Sequence, residues 1–559
     1  MPENANMSAG GATEVADHLN FGLLDGLIIV AYLVMLIGIG YYYSRKPTTM
    51  KEYFLAGKHM SWIPIGLSLM AALNSGIDYL AQPSAFFKYG AVTLMGNLSW
   101  LVLYPYAFFV SMPLYRRLDV YSAYEYLERR FNMPVRTLAS CIFILWRLGW
   151  MATALYVPAL AITTATGRKD LLPYVIIGMG LVSTIYTMMG GVKAVIWTEV
   201  IQFVVMFGGL ALTLLVVMLN VGVDIPEICA TLVQSRQETH FAPKAETLAG
   251  SAVLAQIFTS PVTWYGLLIA SIAGRLTGYT SDQVMVQRFQ TAKSIRATRQ
   301  GFLITAISDV VWMVVLTFVG VVLVIYFGKY THALPDWLYQ PNQETGELEV
   351  NYDMYFPYFM SKVFPPGLTG PVIAAIVAAS LSAIASAINS QSTVVVVDFY
   401  NRIGKGRLRP VENLPAAEQQ FQVRLGRIAS VVVGLVATLI SMNLGSLGII
   451  MEIANKVIQS FTGPLLGIFW LGMFTLRANS GGAFLGGVAG TLVTLLVAFD
   501  KELFAWIFGF RHFISFYWPT VFGLATTLVV GYSVSAVFPI TEAARRWNWF
   551  AVTRQELVE

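Results

Sequence analysis

Four charged side chains, Asp78, Arg147, Arg275 and Asp309, fall inside long apolar stretches of this chain. A carboxylate in mid-bilayer costs about 2.5–3.5 kcal/mol on the insertion scale, so such residues mark ion paths, binding sites or internal ion pairs. Four roles are open to Asp78: completing a cation site, taking a solute's amino group, carrying a proton, or neutralising an arginine, for which Arg147 is the candidate. Arg275 offers a planar fork suited to a carboxylate, or donors for carbonyls freed at a helix break. Asp309 has no evident partner in the sequence. No catalytic constellation accompanies them: His18, His59, His240, His332 and His512 fall in the tail or near loops. Cys141, in an apolar run, and Cys229, in a loop, have neither disulfide nor metal spacing. No G-x-x-x-x-G-K-[ST] segment is present to cradle a nucleotide. The chemistry on offer is reversible binding of ions and small charged solutes, driven by a gradient.

The elements that must position these residues follow from composition. At 559 residues, 56% hydrophobic, 12% charged and a mean hydropathy of +0.63, the chain reads as an all-α, polytopic membrane protein. Apolar runs of the roughly 20 residues a span needs occur near 21–43, 62–87, 92–115, 137–166, 171–190, 195–221, 252–284, 301–327, 367–398, 425–443, 447–475, 480–499 and 515–538. About thirteen transmembrane helices are therefore expected. Every second loop is basic, with Arg45, Lys46 and Lys51, then Arg116, Arg117, Arg129 and Arg130, then Lys193, then Lys293, Arg296 and Arg299. Arg402, Lys405, Arg407 and Arg409 follow, and Arg545 and Arg546 lie in the tail. The positive-inside rule puts these loops in the cytoplasm, the N-terminus outside and the C-terminus inside. The net charge of +5 is spread over such loops, and no nucleic-acid partner is implied. The polar first twenty residues lack a basic n-region and do not read as a cleaved signal.

The expected organisation is an external N-terminus (1–20), a first helix and cytoplasmic loop (21–59), two sets of five helices (60–221 and 252–475) separated by an external loop (222–251), two further helices (476–538) and a cytoplasmic tail (539–559). A second large external loop spans 328–366; the two loops carry Glu227, Glu344, Glu347 and Glu349. An odd number of spans per set reverses the second set, the arithmetic of an inverted repeat. The first helix of each set is expected to be broken at mid-membrane, at Ala71-Ala72-Leu73-Asn74-Ser75-Gly76 and at Ser271-Ile272-Ala273-Gly274-Arg275, with Thr277 and Gly278 beyond. Gly76 and Gly274 are the candidate hinges.

Several blocks then point to one family: EYFLAGKHMSWIPIGLSLMAA from Glu52, QPSAFFKYG from Gln82, YSAYEYLERRF from Tyr121, LYVPALAITTATG from Leu155, GGVKAVIWTEVIQ from Gly190, DQVMVQRF from Asp282 and LSAIASAINS from Leu381. Across nearly its whole length the chain resembles the sodium/solute symporters, and in several blocks their sodium/iodide, monocarboxylate and multivitamin branch. The resemblance implies an inverted-repeat fold and uptake of a small solute coupled to sodium. It implies a sodium site at the backbone carbonyls of Ala71, Asn74 and Ala379 with the Ser382 hydroxyl, hard oxygen ligands for a hard cation. Ala383 stands where many relatives have a second hydroxyl; a water, the Asn74 side chain or simply weaker binding are the ways to meet that gap. A second ion or substrate cluster maps onto Ser75, Asp78 and Tyr156, and Glu199 corresponds to an acid near the sodium exit.

Substrate-side positions implied in the same way are Arg147, Arg275, Gln459 and Asn97. Against sugar-carrying relatives, Asn97, Arg275 and Asp309 replace their acid, asparagine and lysine, which argues against a glucose or galactose site. Pocket charges of both signs lean to a carboxylate or zwitterion. The reading is a sodium-coupled symporter, not an enzyme, in the plasma membrane (the inner membrane of a bacterium). Its partners are the solute, sodium and lipid, and it uses no cofactor. Alternatives are proton coupling through Asp78, or carriage of a sugar or inorganic anion with sodium. The driving force suffices, since one charge crossing 100 mV contributes about 2.3 kcal/mol, roughly fifty-fold accumulation.

Overall fold

The computed structural model describes residues 21–45, 49–237, 257–260, 262–330, 338–341, 348–406, 414–444, 450–500 and 514–554. Lys46, Glu344, Glu347, Arg407, Arg409 and every histidine except His59 lie outside the described residues, as does the N-terminal segment 1–20.

The apolar runs form helices: α1 (Leu23–Ser44), α2 (Trp62–Leu73), α3 (Gly76–Tyr89), α4 (Trp100–Tyr106), α5 (Met112–Leu118), α6 (Met133–Ala165), α7 (Leu172–Val221) and α8 (Trp264–Ser281). They continue through α9 (Gln283–Thr291), α10 (Ile295–Tyr330), α11 (Thr369–Val394), α12 (Ala416–Ser441), α13 (Ile450–Phe474), α14 (Ser480–Ala498) and α15 (Pro519–Ala536). Among the described residues, nine helical stretches are long and apolar enough to cross a membrane. The runs at 171–190 and 195–221 form one stretch, α7, bent at Gly191, where φ is 61°. A Cβ there would stand 2.7 Å from the backbone oxygen of Tyr53, so both the dihedral and the close approach require glycine. Among the described residues, the β-strands are a short antiparallel pair, Tyr339–Pro341 against Leu348–Val350.

Helix α11 is the central post, with every residue from Val372 to Val394 buried. Its Ala/Ser-rich surface admits neighbours closely: a Cβ on Gly209 of α7 would sit 2.2 Å from that of Ala375. The N-terminus of α11 is held by the first helix. Asp25 of α1 is fully buried and accepts hydrogen bonds from the Gly370 amide at 2.6 Å and the Gly367 amide at 3.3 Å. A carboxylate at that end complements the helix dipole and caps amides that lack partners.

Each proposed five-helix set begins with an interrupted helix, but the second interruption is displaced from its expected place. The first falls at Asn74-Ser75, between α2 and α3. The second is at Asp282 (φ −81°, ψ 117°), and α8 runs unbroken through Ser271–Gly278. Thr277 and Ser281 return their hydroxyls to the carbonyls of Ala273 and Thr277, at 2.8 and 3.0 Å, and so stay within the helix. Asp282 instead accepts from the Val284 amide at 2.9 Å and starts α9. Gly274 therefore lies inside a helix, with open space around its would-be Cβ, and loses its hinge assignment.

Candidate functional site

The break in the first set is built from competition for backbone amides. Asn74 and Ser75 are both extended, so regular helical bonding ends there. The Ser75 amide, which would bond the Ala71 carbonyl in an uninterrupted helix, donates instead to Asp78 Oδ2 at 2.7 Å. Ser75 Oγ accepts from the Ile77 amide at 3.2 Å, which completes a capping box at the start of α3. The Ala71 carbonyl, left without its helical partner, faces α11. There Ser382 Oγ lies 2.8 Å from the carbonyl oxygens of both Ala71 and Ala379. Two residues earlier on α11, Ser380 Oγ accepts from the Gly76 amide at 3.1 Å, and a Cβ on Gly76 would fall 2.3 Å from that oxygen. The break is thereby clamped to the central post. Ala71, Ala379 and Ser382, three of the positions implied by the resemblance, lie together, whereas buried Ala383 adds only a methyl group. The donor set is hard and of the kind a sodium ion takes.

Beside the break, Asp309 of α10 gathers three donors. Asn74 Nδ2 lies at 2.8 Å, Trp100 Nε1 at 2.6 Å and an Arg275 guanidinium nitrogen at 2.9 Å, with the guanidinium 5.0 Å over the Trp100 ring. Asp309 thus has the partner that the sequence did not disclose. Arg147 does not neutralise Asp78. It pairs with Asp282 at the second break, between the rings of Trp146 and Trp150 at 4.7 and 4.9 Å. Among the described residues Asp78 has no ion-pair partner, although Arg275 and Asp309 are near enough for their charges to act on it. Asp78, Tyr156 and Asn97 are partly exposed, Asn97 in the 3₁₀ stretch Gly90–Ser99. Gln459 of α13 is turned toward α15, where Thr520 donates to its side-chain oxygen, so it does not reach toward the break.

On the basic side of the break lies a cluster that the sequence reading did not assemble. Glu199 of α7 pairs with Arg288 of α9 at 2.5 Å and accepts from Ser68 of α2 and Ser386 of α11. Arg288 also donates to Ser68 Oγ at 2.9 Å and to the Val284 carbonyl at 2.7 Å. All four side chains are buried, none more than 1% exposed. Ser386 is one turn beyond Ser382, and Ser68 precedes Ala71 by three residues, so the cluster sits directly below the oxygen donors. Backbone bonds seal the same end, Met60 N to Thr291 O and Lys293 N to Met60 O, both 3.1 Å. Nearby, Arg136 holds Asp398 and Glu128, the latter at 2.8 Å. At the start of the short helix Glu125–Arg130, burial pushes the Glu125 carboxyl above its usual range against the opposing pull of Arg136, the Ser122 amide and Arg129. The apolar run at 252–284 stops short of Arg288, so the sequence shows DQVMVQRF as a family block and gives Arg288 no role of its own. An arginine spaced one turn from Val284 and Met285, within a short amphipathic helix, was the available signal.

Residues 53–490 match the model of the sodium:solute symporter family. The sodium/sialic acid symporter NanT of Aliivibrio fischeri is 31% identical over 523 residues, 93% of this chain and 94% of the relative. The sodium-dependent multivitamin transporter of Oryctolagus cuniculus is 29% identical over 484 residues, 85% of this chain and 70% of the relative. A substrate-bound, outward-open structure of a Na⁺-coupled sialic acid symporter superposes with a TM-score of 0.77 at 26% identity, covering 93% of this chain and 99% of that one. The nucleobase-cation-symport transporter Mhp1, at 13% identity and a TM-score of 0.53, shares the fold alone.

Proposed function

This chain belongs to the sodium:solute symporter family, and we propose on that footing that it imports a small zwitterionic solute with sodium by alternating access. It is a membrane transporter, not an enzyme. The observation that carries the sodium assignment is the bridge of Ser382 Oγ between the carbonyls of Ala71 and Ala379, at 2.8 Å each. A cation there ties the broken helix to α11 and favours the conformation in which these oxygens converge, since a ligand shifts an equilibrium only by its differential affinity for the two states. The Glu199–Arg288 cluster closes the cytoplasmic exit in that conformation. The basic loops support an external N-terminus and cytoplasmic C-terminus, and the paired helix breaks support two inverted sets at 60–221 and 252–475.

The solute class is read from what remains unpaired. Arg147 and Arg275 already have acidic partners, so neither offers a free charge. Asp78 does, and suits an ammonium group. Arg275, whose side chain is 16% exposed, keeps further N–H donors for a carboxylate after its bond to Asp309. A proton-coupled reading draws on the same lone carboxylate of Asp78.

Thermal stability of the purified protein in sodium against potassium, with amino acids, carboxylates and sugars, tests both assignments. A sodium-dependent rise enlarged by amino acids is expected. Ser382→Ala is expected to weaken sodium roughly ten- to hundred-fold, as for loss of a hydrogen-bonding group next to a charge. A parent-like sodium response in that variant would remove Ser382 from the site. Asp78→Asn keeps an acceptor for the Ser75 amide but loses the charge. It is expected to retain the sodium response and lose at least tenfold in solute affinity. Uptake driven by a proton gradient without sodium, and abolished in Asp78→Asn, would establish the proton-coupled alternative instead.

A further inference from the structure

Beyond α15 two short helices, Glu542–Trp547 and Trp549–Thr553, turn back against the basic end of the bundle, where they meet α5, the helix Glu125–Arg130 and α13. Asn548 joins them, donating to the Ala544 carbonyl and accepting from the Ala551 amide, both at 2.9 Å. Ala544 and Val552 are buried, and Val552 belongs to the apolar core that includes Leu114 of α5 and Phe469 of α13. The surface that receives the tail is made by a proline. Pro113 has no amide to give the turn before it, and bonding there widens to the π-helical stretch Ala107–Ser111, a feature frequent at functional sites. Carbonyls of that stretch take outside donors: Phe108 accepts from Arg299 at 3.3 Å, and Val110 accepts from the Trp549 indole at 3.0 Å. Tyr126 donates to the Trp547 carbonyl at 3.0 Å, and the Arg129 guanidinium lies 5.4 Å over the Trp547 ring.

The parts that the tail grips are those that grip the seal. Arg116 of α5 donates to the carbonyls of Ala292 and Lys293 at 2.9 and 3.1 Å, and this segment is the one paired with Met60. On either side of the π stretch, Tyr106 accepts from the Thr280 hydroxyl at 3.0 Å and Tyr115 donates to the Thr280 carbonyl, two residues before the second break. Arg130 donates to the Gly472 and Thr475 carbonyls, at 3.0 and 2.9 Å, at the end of α13. The tail therefore spans α5, from the first proposed set, and α13, from the second.

We propose that residues 541–554 form a strap that holds the cytoplasmic seal shut, and that the tail lets go of the π stretch before the inner end opens. This rests on the alternating-access reading above: rocking of one set against the other moves α5 relative to α13 and shears the strap, so its bonds add to the barrier for inward opening.

Access to the seal is measured as the rate at which a thiol reagent labels Ala292→Cys, a buried position, in the full-length protein carrying Cys141→Ser and Cys229→Ser. Trp549→Phe with Tyr126→Phe removes two hydrogen-bond donors and keeps both rings. In potassium this pair is expected to label about tenfold faster than its parent, two neutral hydrogen bonds' worth, and sodium is expected to restore slow labelling. Truncation after Ile540 is expected to do at least as much. Parent-like labelling in the double variant, with sodium-driven amino-acid uptake intact in the parent, would overturn the strap and leave the symporter reading standing. A parent without such uptake would remove that reading and the strap with it. Faster labelling that sodium does not suppress, with a lowered melting temperature, would make the tail a structural support only and would also overturn the proposal. Should the truncated chain fail to fold, the double variant decides.

Discussion

Arg288→Ala is expected to lower stability by about 3–5 kcal/mol and to abolish sodium-driven uptake, because it strands Glu199 as an uncompensated buried charge. Glu199 is fully buried, and its remaining partners, the hydroxyls of Ser68 and Ser386, are neutral. Arg288 in turn links Ser68 of α2 to α7 and α11, so its loss also frees the lower half of the broken helix. Thermal unfolding in detergent measures the first effect and uptake into proteoliposomes the second. The double variant Glu199→Gln, Arg288→Met separates them. Replacing both partners of a buried pair is often close to neutral for stability, so the double variant should recover most of the melting temperature. It should not recover transport, because the cytoplasmic closure proposed above would no longer open and reseal through an ion pair. A single Arg288→Ala variant as stable as its parent would show that the pair does not hold the inner end shut.

Asp309→Ala is the second large effect. One carboxylate serves the Asn74 amide, the Trp100 indole and the Arg275 guanidinium. Its removal leaves a charge unpaired, at about 3–5 kcal/mol, and two neutral donors unsatisfied, at about 1–3 kcal/mol each. These costs share partners and will not add in full, yet even the first is a large part of a typical folding free energy. Asn74 lies in the break, so sodium affinity is expected to fall as well. Asp309→Asn keeps one acceptor and should give an intermediate loss. A full sodium response in Asp309→Ala would mean that the break holds its shape without this support.

The sequence disclosed the helices well because spans are long and apolar, and a signal of twenty residues survives local noise. It located the first break, where Asn74, Ser75 and Gly76 stand together, but misplaced the second. Ser271, Gly274 and Thr277 look equally poor for helix, yet their hydroxyls and bare backbone are accommodated inside α8. The residue that ends α8, Asp282, does so through a cap, a three-dimensional relation between a side chain and an amide beyond it. Ion pairing was harder still. Arg147 is closer along the sequence to Asp78 than to Asp282, but pairing is chosen by which helices touch. Asp282 lies 135 residues from Arg147 and Asp309 is 34 residues beyond Arg275. The carbonyls of Ala71 and Ala379 carry no side-chain signal at all, and only the resemblance pointed to them.

The grip of Asp25 on the start of α11 has a bearing on how the chain is made. The two partners are 345 residues apart. At ~5–20 residues per second, the ribosome delivers Gly370 roughly 20–70 s after Asp25. For that interval the first helix must persist in the bilayer as an independent span, as apolar helices can before they associate, with its acid held only by the local Gly22 amide. Closure of this contact is therefore a late event in assembly. A chain released before residue 370 would be left with an uncapped acid at the membrane surface, a chemical mark by which an unfinished copy differs from a finished one.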